Sequence, residues 1–575
     1  MASPAVFGAL SSRLSAHSGE LARLVSALSR GTAEQVLLGP LSIGGPPGMQ
    51  GAVDLDDVLA RSARVAVTEC AWDAARGWYR ERAPTIQALG WLAEYRTGRR
   101  LLGLLRVVTS LRVYQEEQGP CRWVVPEAAG DLLVSALRVA GIEALPAPDT
   151  RPPEPPAYSS HRLLSTLLGR PWRGRSSWLA LGGGGVNDLL EREGARGFPI
   201  TLLASRLPPR RILLRLAFGY DLLSTLSSSP NLGSVLGQLA ASPGAGSDDP
   251  AAKLSLAALA TMLAPRVLKE SQAELQRAIQ AGWAALGWFR DRGRGVLTPD
   301  DALPYTRAVV AMAALAGRPA VVVQHGAIVA REDRNHQVSG NSLTWGPVFN
   351  EVLVREMGSR HRPWVMGYPG AALARRPRGD RDIVLFLGTA GHAITLETQP
   401  RHQQTVLDML AAALVSLRRP VELLIRPHHS DESALRLPPG AERLRARICR
   451  RGSLGRTLRG VTLMVTTVST GIIEAALAGL PVVACPETTT ELVRGMKGIP
   501  GVHWASSAGE ASELACRILL GSEPKMSVTV AGLPYVTEFI GWSRLARHLD
   551  GLDAAPSEVE AIAHAGVLAR WMGEE

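Results

Sequence analysis

Short β-branched apolar runs alternate with stretches of helical spacing along most of the chain, and the two periods mark out candidate strands and helices. The second half is the clearest. DIVLFLGTAGH reads as a buried strand closing on glycines, followed by a helix over 400–417 and the strand VELLIRPHH. After a basic stretch come the strand VTLMVTT, the turn VSTG, the helix IIEAALAG and the strand LPVVACP. Upstream, GVLTPDD, a helix over 301–316 and RPAVVVQHG repeat the alternation, and SLTWGPVFNEVLVREMG leads into RPWVMGYPG. Earlier still, ARVAVTE, beginning at Ala63, and CRWVVPE are expected as short parallel strands. GDLLVSALRVAG is expected as a helix closed by Gly141, and IEALPA as a strand. The span 160–290 reads as mainly helical, broken by SSSPNLGS and ASPGAGSDDPAA. The first sixty residues read as a helical stretch running into the Gly/Pro-rich LLGPLSIGGPPGMQG.

Strand–helix alternation of this kind predicts an α/β fold: two Rossmann-like, doubly wound parallel-sheet domains facing a cleft, with a helical N-terminal and inserted region. The expected division is an N-terminal lead-in over 1–60 and a first Rossmann-like domain over 61–372 carrying a helical insertion at about 160–290. A charged linker, AALARRPRGD, falls around 370–380. A second Rossmann-like domain follows over 380–555, and a final helix over 556–575 is expected to pack back on the first domain. PDTRPPEPPA at 148–157 is a proline-rich connector.

Composition narrows the class. With 575 residues, 46% hydrophobic and 20% charged, the chain has the balance of a soluble globular protein. No run of eighteen uncharged apolar residues is present, so no transmembrane helix is expected. The N-terminal stretch lacks an unbroken apolar core, so secretion is not expected either. Five cysteines, far apart and without a CxxC, point to neither a disulfide framework nor a structural zinc site, which fits a reducing cytoplasm. The net charge of +11 is carried almost wholly by arginine. Such a bias follows from a GC-rich coding sequence, or from attraction to nucleotide phosphates, anionic headgroups or nucleic acid. No aromatic-interleaved basic strand, zinc knuckle or helix-turn-helix pattern supports a nucleic-acid partner, and none is expected.

Three polar loops follow predicted strands, where open α/β sheets bind ligands. Gln324-His325-Gly326 follows AVVV. A histidine there can serve as a general base near neutral pH, or can simply bond a neighbouring carbonyl. Arg426-Pro427-His428-His429 follows VELLI and offers a donor fork for phosphate oxygens, or a solvent-facing basic pair. Thr467-Val468-Ser469-Thr470-Gly471 leads into a helix with Glu474 one turn in. Its hydroxyls and backbone N–H groups suit an anion and its carboxylate two ribose hydroxyls, though an ordinary capping box reads the same way.

Taken in this order, the three loops resemble those of GT-B glycosyltransferases, in particular bacterial capsule and wall-polymer transferases of the polysialyltransferase-like, capsule Kdo-transferase-like and CDP-glycerol glycerophosphotransferase-like kinds. The resemblance rests on Gln324-His325-Gly326, Arg426-Pro427-His428 and Ser469-Thr470, and covers roughly residues 290–495. It implies an acceptor-binding first domain and a nucleotide-donor second domain. His325 would deprotonate an acceptor hydroxyl, while Arg426, His428, Ser469, Thr470 and Gly471 would hold donor phosphates. Glu474 would take the ribose, and Gly388, Thr389 and Gly391 would form a second phosphate-facing loop. No metal and no cofactor beyond the nucleotide-activated donor is implied. The acceptor would be a surface polysaccharide or a lipid-linked glycan, in the cytoplasm with a possible peripheral contact at the inner membrane face.

Three departures qualify the likeness. His429 stands where the family usually has proline, and no Asp-Tyr-Ser-Ser is present. EAALAGLPVVACPETTTELV resembles the donor segment of retaining GT-B enzymes, but Thr466 stands where those carry a further Glu, which argues for inversion. A nucleotide-sugar 2-epimerase of the same fold is the enzymatic alternative, against which QHGAIVARED stands in place of the epimerases' usual His-x-Glu-Ala-Gly-Leu-Arg. A non-catalytic binding or scaffold protein is the other. The run RLRARICRRGSLGRTLRG reads as a solvated helix and loop or as a face for an anionic membrane. Trp172, Trp178, Trp283 and Trp288 read as packing residues, with sugar stacking as the alternative, and Gly182 through Gly185 as a flexible loop that could cover the acceptor cleft. Glu332 and Asp333 follow His325 as candidate polarising carboxylates.

Overall fold

The computed structural model describes residues 4–8, 36–38, 52–54, 61–118, 122–125, 131–142, 144–146, 177–182, 184–191, 200–203, 221–223, 232, 235–236, 255–324, 338–358, 361–369, 381–389, 400–417, 419–428, 435–449, 454–487, 496–521, 536–554 and 559–573. Among these residues the strands form three sheets, all of them parallel. The first contains β1 (Pro4–Gly8), β2 (Val36–Leu38), β3 (Ala52–Asp54), β4 (Arg122–Val125) and β5 (Ala144–Pro146), in the order β3-β2-β1-β4-β5. Between β3 and β4 lie helices α1 (Arg61–Gly77) and α2 (Pro84–Gln118), and α3 (Asp131–Val139) precedes β5.

The second sheet is built from β6 (Ser177–Ala180), β7 (Ile200–Leu203), β8 (Asp221–Leu223), β9 (Gly293–Thr298), β10 (Ala320–Val323), β11 (Asn341–Thr344) and β12 (Arg362–Val365), with β6 and β9 at its middle in the order β12-β11-β10-β9-β6-β7-β8. Its helices are α4 (Gly184–Glu191), α5 (Leu256–Glu270), α6 (Gln272–Asp291), α7 (Pro304–Leu315) and α8 (Pro347–Met357). The third sheet runs β15-β14-β13-β16-β17-β18, from β13 (Asp382–Leu387), β14 (Val421–Arg426), β15 (Arg447–Ile448), β16 (Leu463–Thr466), β17 (Val482–Ala484) and β18 (Val502–Trp504). Helices α9 (Pro400–Ser416), α10 (Leu454–Leu458), α11 (Gly471–Leu477) and α12 (Ala508–Leu520) accompany it, and α13 (Trp542–Asp550) and α14 (Val559–Trp571) end the chain.

Counting from the first strand of each, the second and third sheets both wind outward in the doubly wound order 3-2-1-4-5-6, the second with one strand more. The expected pair of Rossmann-like domains is therefore present. Alternation along β13 shows how both faces are filled: Val384 and Phe386 join a core with α9 and α12, while Leu385 and Leu387 join one with α11.

Three expectations differ from the structure. ARVAVTE is part of α1, not a strand, because Val67, Ala71, Ala74, Ala75 and Trp78 bury one 3.6-period stripe. The segment over 1–60 contributes β1, β2 and β3 rather than a helical lead-in alone. Strands of three to five residues leave too short a pattern to register in the sequence. The helical insertion expected at about 160–290 contains β6, β7 and β8 as well as α4, α5 and α6. Of these helices α5 and α6 join α1, α2, α7 and α14 in one apolar layer. The linker expected around 370–380 lies outside the described residues.

That helical layer buries a set of charges. Arg307 donates to the Trp91 carbonyl at 2.6 Å and lies 4.6 Å above the Trp91 ring, which stacks on His564 at 5.0 Å. Tyr79 donates to Glu94 at 2.7 Å, and burial, reinforced by that carboxylate, pushes the phenol far above its ordinary range. The final helix thus packs against α2 and α7.

A strap over residues 536–540 lies along the end of the second sheet. Tyr368 donates its N–H to the Thr537 carbonyl at 2.9 Å, Thr537 to Trp345 at 2.8 Å and Ile540 to Met366 at 3.1 Å. Trp364 stacks on His548 with ring centroids 3.9 Å apart. Gly367, at φ +80°, lets the strap approach, since a Cβ there would sit 2.1 Å from the Glu538 carbonyl oxygen.

Candidate functional site

In the third sheet the strand order reverses between β13 and β16, so the loops at their carboxyl ends border the switch point. Gly388 and Thr389 leave β13, Arg426 ends β14, and Thr467 through Thr470 leave β16. These expected residues are brought together. Gly388 donates to the Arg426 carbonyl at 2.8 Å, and a Cβ on it would meet Leu435 Cδ1 at 2.9 Å and Pro427 Cα at 3.2 Å.

Thr389 is committed to architecture more than to a ligand. Its N–H donates to Gln403 Oε1 at 2.9 Å, and Gln403 returns a bond to its carbonyl at 3.0 Å. Its hydroxyl lies 2.8 Å from Thr467 Oγ1 and bonds the Val468 carbonyl. Thr466 donates to the Leu387 carbonyl at 2.8 Å. The post-β13 and post-β16 loops are thereby locked together by three hydroxyl side chains, a role that sequence alone did not assign to Thr466, Thr467 or Gln403.

Ser469 and Thr470 are half-exposed at the entry to α11. Ser469 Oγ accepts from Gly471 N–H at 3.2 Å, and its carbonyl accepts from Ile472 at 3.0 Å. Gly471 is wedged: a Cβ there would stand 2.3 Å from Leu387 Cδ2 and 2.9 Å from Leu454 Cδ2. Arg426 Nη1 donates to Thr457 Oγ1 on α10 at 3.1 Å, which steadies the guanidinium at the strand end. His428 is half-buried two residues further on.

Glu474 has the strongest electrostatic signature of this group. Burial pushes its carboxyl up to about 7, Asp188 adds to the rise, and Arg426 opposes it. Asp188 belongs to α4, which begins at Gly184, and Gly182 follows β6. Asp188 gave no local signal, since an acidic residue on an exposed helical face reads as solubilising. A strand–glycine–helix reading of SWLALGGGGVND would have placed it at a switch point.

On the second sheet, the loops after β9 and β10 are anchored. Asp301 is fully buried, accepts from Val338 N–H at 2.9 Å and Ser339 N–H at 2.6 Å, and is pushed up to about 6 by desolvation, against those bonds and Arg307. Gln324, at the end of β10, donates its N–H to Leu343 at 2.9 Å and accepts from Trp345 N–H at 2.7 Å. His325, Gly326, Glu332, Asp333, Gly391, His429 and Trp172 lie outside the described residues. Trp178 and Trp288 are core residues and Trp283 packs against the same helical layer. Among the described residues no cluster of His, Cys, Asp or Glu has metal-holding geometry, and no helix is long and apolar enough to cross a membrane.

No family model and no curated protein matches the sequence. Solved structures resembling it include S. aureus MnaA in a UDP co-structure, 10% identical with TM-score 0.40, covering 63% of this chain and 93% of that one. Acinetobacter baumannii MurG is 11% identical with TM-score 0.35, over 65% of this chain and 98% of that one. The wall teichoic acid polymerase TagF is 9% identical with TM-score 0.32, over 72% of this chain and 88% of that one. Likeness at this level carries no reaction across. The fold class, doubly wound parallel sheets with flanking helices, rests on the chain's own strand order.

Proposed function

We propose that the protein is an inverting, metal-independent glycosyltransferase. It would move a sugar or related group from a nucleotide-activated donor to a surface polysaccharide or lipid-linked acceptor. The observation that carries this reading is the convergence of Arg426, Ser469, Thr470 and Glu474 at the switch point of the third sheet. A guanidinium fork, two hydroxyls and a carboxylate match the diphosphate and ribose of a nucleotide sugar.

In this mechanism His325, directly after Gln324, removes the acceptor hydroxyl proton. The acceptor oxygen forms a bond to the anomeric carbon as the bond from that carbon to the phosphate oxygen breaks. The proton stays on His325 and the electron pair leaves with the nucleotide. Arg426 and His428, with the Ser469 and Thr470 hydroxyls, stabilise the charge that builds on the departing phosphate. An acceptor oxygen approaching opposite the leaving phosphate in one in-line displacement inverts the anomeric carbon. Capsule or cell-envelope synthesis at the inner face of the membrane is the setting this chemistry fits.

The experiment is turnover by His325→Ala, assayed as nucleotide release from a donor bound by the unmodified protein. The reading expects release to fall by about a hundredfold or more with donor affinity within about twofold. Unchanged release in the variant contradicts His325 as the base. Release that needs no acceptor and yields an isomerised donor identifies an epimerase instead.

A further inference from the structure

We infer that the first turn of α9 is the positioning clamp of the donor site: His402, Gln403 and Gln404 each hold one loop at the carboxyl edge of the third sheet, and Gln403, acting through Thr389, fixes the loop that carries Ser469 and Thr470. The inference rests on the reading of Ser469 and Thr470 as donor-phosphate ligands and adds the residues that aim them.

The pattern along α9 sets the clamp in place. Val406, Leu407, Leu410, Ala411 and Leu414 form its buried stripe, and Gln403, four positions before Leu407, stands on that same stripe. Gln403 is 1% exposed and Gln404 3%, so both amides are buried where the helical period asks for apolar residues. Buried amides need partners, and these find them in backbone outside the helix. Thr389, leaving β13, gives its N–H to Gln403 Oε1 at 2.9 Å, and its carbonyl accepts from Gln403 Nε2 at 3.0 Å. Arg436, between β14 and β15, gives its N–H to Gln404 Oε1 at 3.1 Å, while Gln404 Nε2 donates to Asp408 Oδ1 at 2.7 Å. His402 Nε2 lies 2.9 Å from the carbonyl of Cys485, the residue after β17. A carbonyl can only accept, so that nitrogen carries the proton.

Each tie reaches past its own partner. The Thr389 hydroxyl bonds the Val468 carbonyl and lies 2.8 Å from Thr467 Oγ1, and Val468 N–H donates back to it at 3.3 Å. Holding Thr389 therefore holds the two residues before Ser469. Leu435, next to Arg436, is buried and is the first neighbour a Cβ on Gly388 would meet. Cys485 N–H donates to the Thr466 carbonyl at 2.9 Å. The paired bonds of Gln403 also make its chemistry testable. Methionine fills the space and makes neither bond. An ionised glutamate accepts the Thr389 N–H but turns its second oxygen on the Thr389 carbonyl. A protonated glutamate restores both bonds, its O–H donating to that carbonyl. Burial beside a carbonyl raises such a carboxyl above its free value of about 4.3.

Two arms test this. The first needs no ligand: hydrogen exchange resolved to single amides by mass spectrometry, each variant's rate divided by that of the unmodified protein at the same pH. In Gln403→Met the Thr389 and Val468 amides should exchange about tenfold faster at both pH 5 and pH 8. In Gln403→Glu they should stay within about twofold at pH 5 and run about tenfold faster at pH 8, a rescue that general loosening does not produce. If Gln403→Met does not fold, the two pH values of Gln403→Glu carry the test. Gln404→Met should speed the Arg436 amide and His402→Phe the Cys485 amide, each about fivefold, with Thr389 within about twofold. Equal acceleration at both pH values in Gln403→Glu, or acceleration of Leu385 and Leu410 along with Thr389, overturns the inference. The second arm is calorimetry with UDP-N-acetylglucosamine, again relative to the unmodified protein. Binding to Gln403→Glu should be about tenfold weaker at pH 8 and within about twofold at pH 5. Equal binding at both pH values while Val468 is released at pH 8 shows that the tie does not aim the donor ligands, and overturns the inference. Absence of binding by the unmodified protein contradicts the donor reading, and the exchange arm alone then decides the tie.

Discussion

Gly471→Ala probes whether the donor loop is held by packing as tightly as the structure implies. Gly471 has ordinary backbone angles, so only space opposes a methyl group. The added Cβ would lie 2.3 Å from Leu387 Cδ2 and 2.9 Å from Leu454 Cδ2. Carbon contacts settle at about 3.5–4.0 Å, so on the order of 1 Å of movement is required. Leu387 is buried at the end of β13 and has little room to turn, while half-buried Leu454 can yield on the other side only in part. The displacement falls on α11 and carries Ser469, Thr470 and Glu474 with it. Overpacking of this kind costs about 1–3 kcal/mol, and a 1 Å misplacement of reacting groups costs about a hundredfold in rate. Gly103→Ala is the matched control: it sits in α2 with nothing within 4 Å of its Cβ, and alanine should stabilise that helix by about 0.5–1 kcal/mol. The assay is a thermal melt paired with nucleotide-sugar turnover. A lowered melt and lost turnover in Gly471→Ala, beside a raised melt and full turnover in Gly103→Ala, is the expected pattern. Equal behaviour of the two variants refutes the wedged-loop argument.

Further predictions concern groups held elsewhere. Asp301 is pushed up to about 6 from 3.8. Its contribution to stability is fully present below the unfolded value and is lost as pH rises through about 6. Unmodified protein should therefore lose about 2 kcal/mol between pH 4.5 and 7.5 relative to Asp301→Asn, read from the difference of their denaturation curves. A pH-independent difference contradicts the buried assignment. Gly367→Ala collides with the Glu538 backbone and should open the strap, seen as about tenfold faster proteolysis within 536–550, and protection equal to the unmodified protein counts against the strap. Arg307→Met removes a cation from among Trp91, Asp301 and Glu94 and should cost about 3–5 kcal/mol, checked by chemical denaturation. Cys485 is buried, with its thiol pushed up to about 11, so it should alkylate far more slowly than half-buried Cys449 in a mass-spectrometric time course.

How far the sequence reached depended on how locally each feature is encoded. DIVLFL, VELLI and LMVT are continuous apolar runs long enough to declare buried parallel strands, and the polar residues that end them mark the sheet's carboxyl edge without tertiary information. SWLA is as buried as any of them, yet only one of its four residues, Trp178, has strong strand preference. The glycines after it read equally as a loose loop and as a strand-to-helix turn. ARVAVTE carries the opposite trap, since its β-branched residues conceal a stripe whose spacing becomes helical only when Ala71 through Trp78 are read with it. Arg426, Ser469, Thr470 and Glu474 were legible because each stands at a strand end or one turn beyond. Asp188 was not, because its meaning comes from a residue almost three hundred positions away. Thr389 was legible as a loop residue but not as a tie, since its partners Gln403 and Thr467 belong to other elements.

The most direct measurement of the central claim is a thermal-shift panel of the purified protein against CMP, CDP, UDP, GDP and their sugar or glycerol conjugates, with Arg426→Ala as the control. The account predicts stabilisation by one nucleotide family and its loss in Arg426→Ala, which would fix the donor site at the carboxyl edge of the third sheet. Stabilisation that persists undiminished in Arg426→Ala, or no stabilisation by any member of the panel at millimolar concentration, contradicts it.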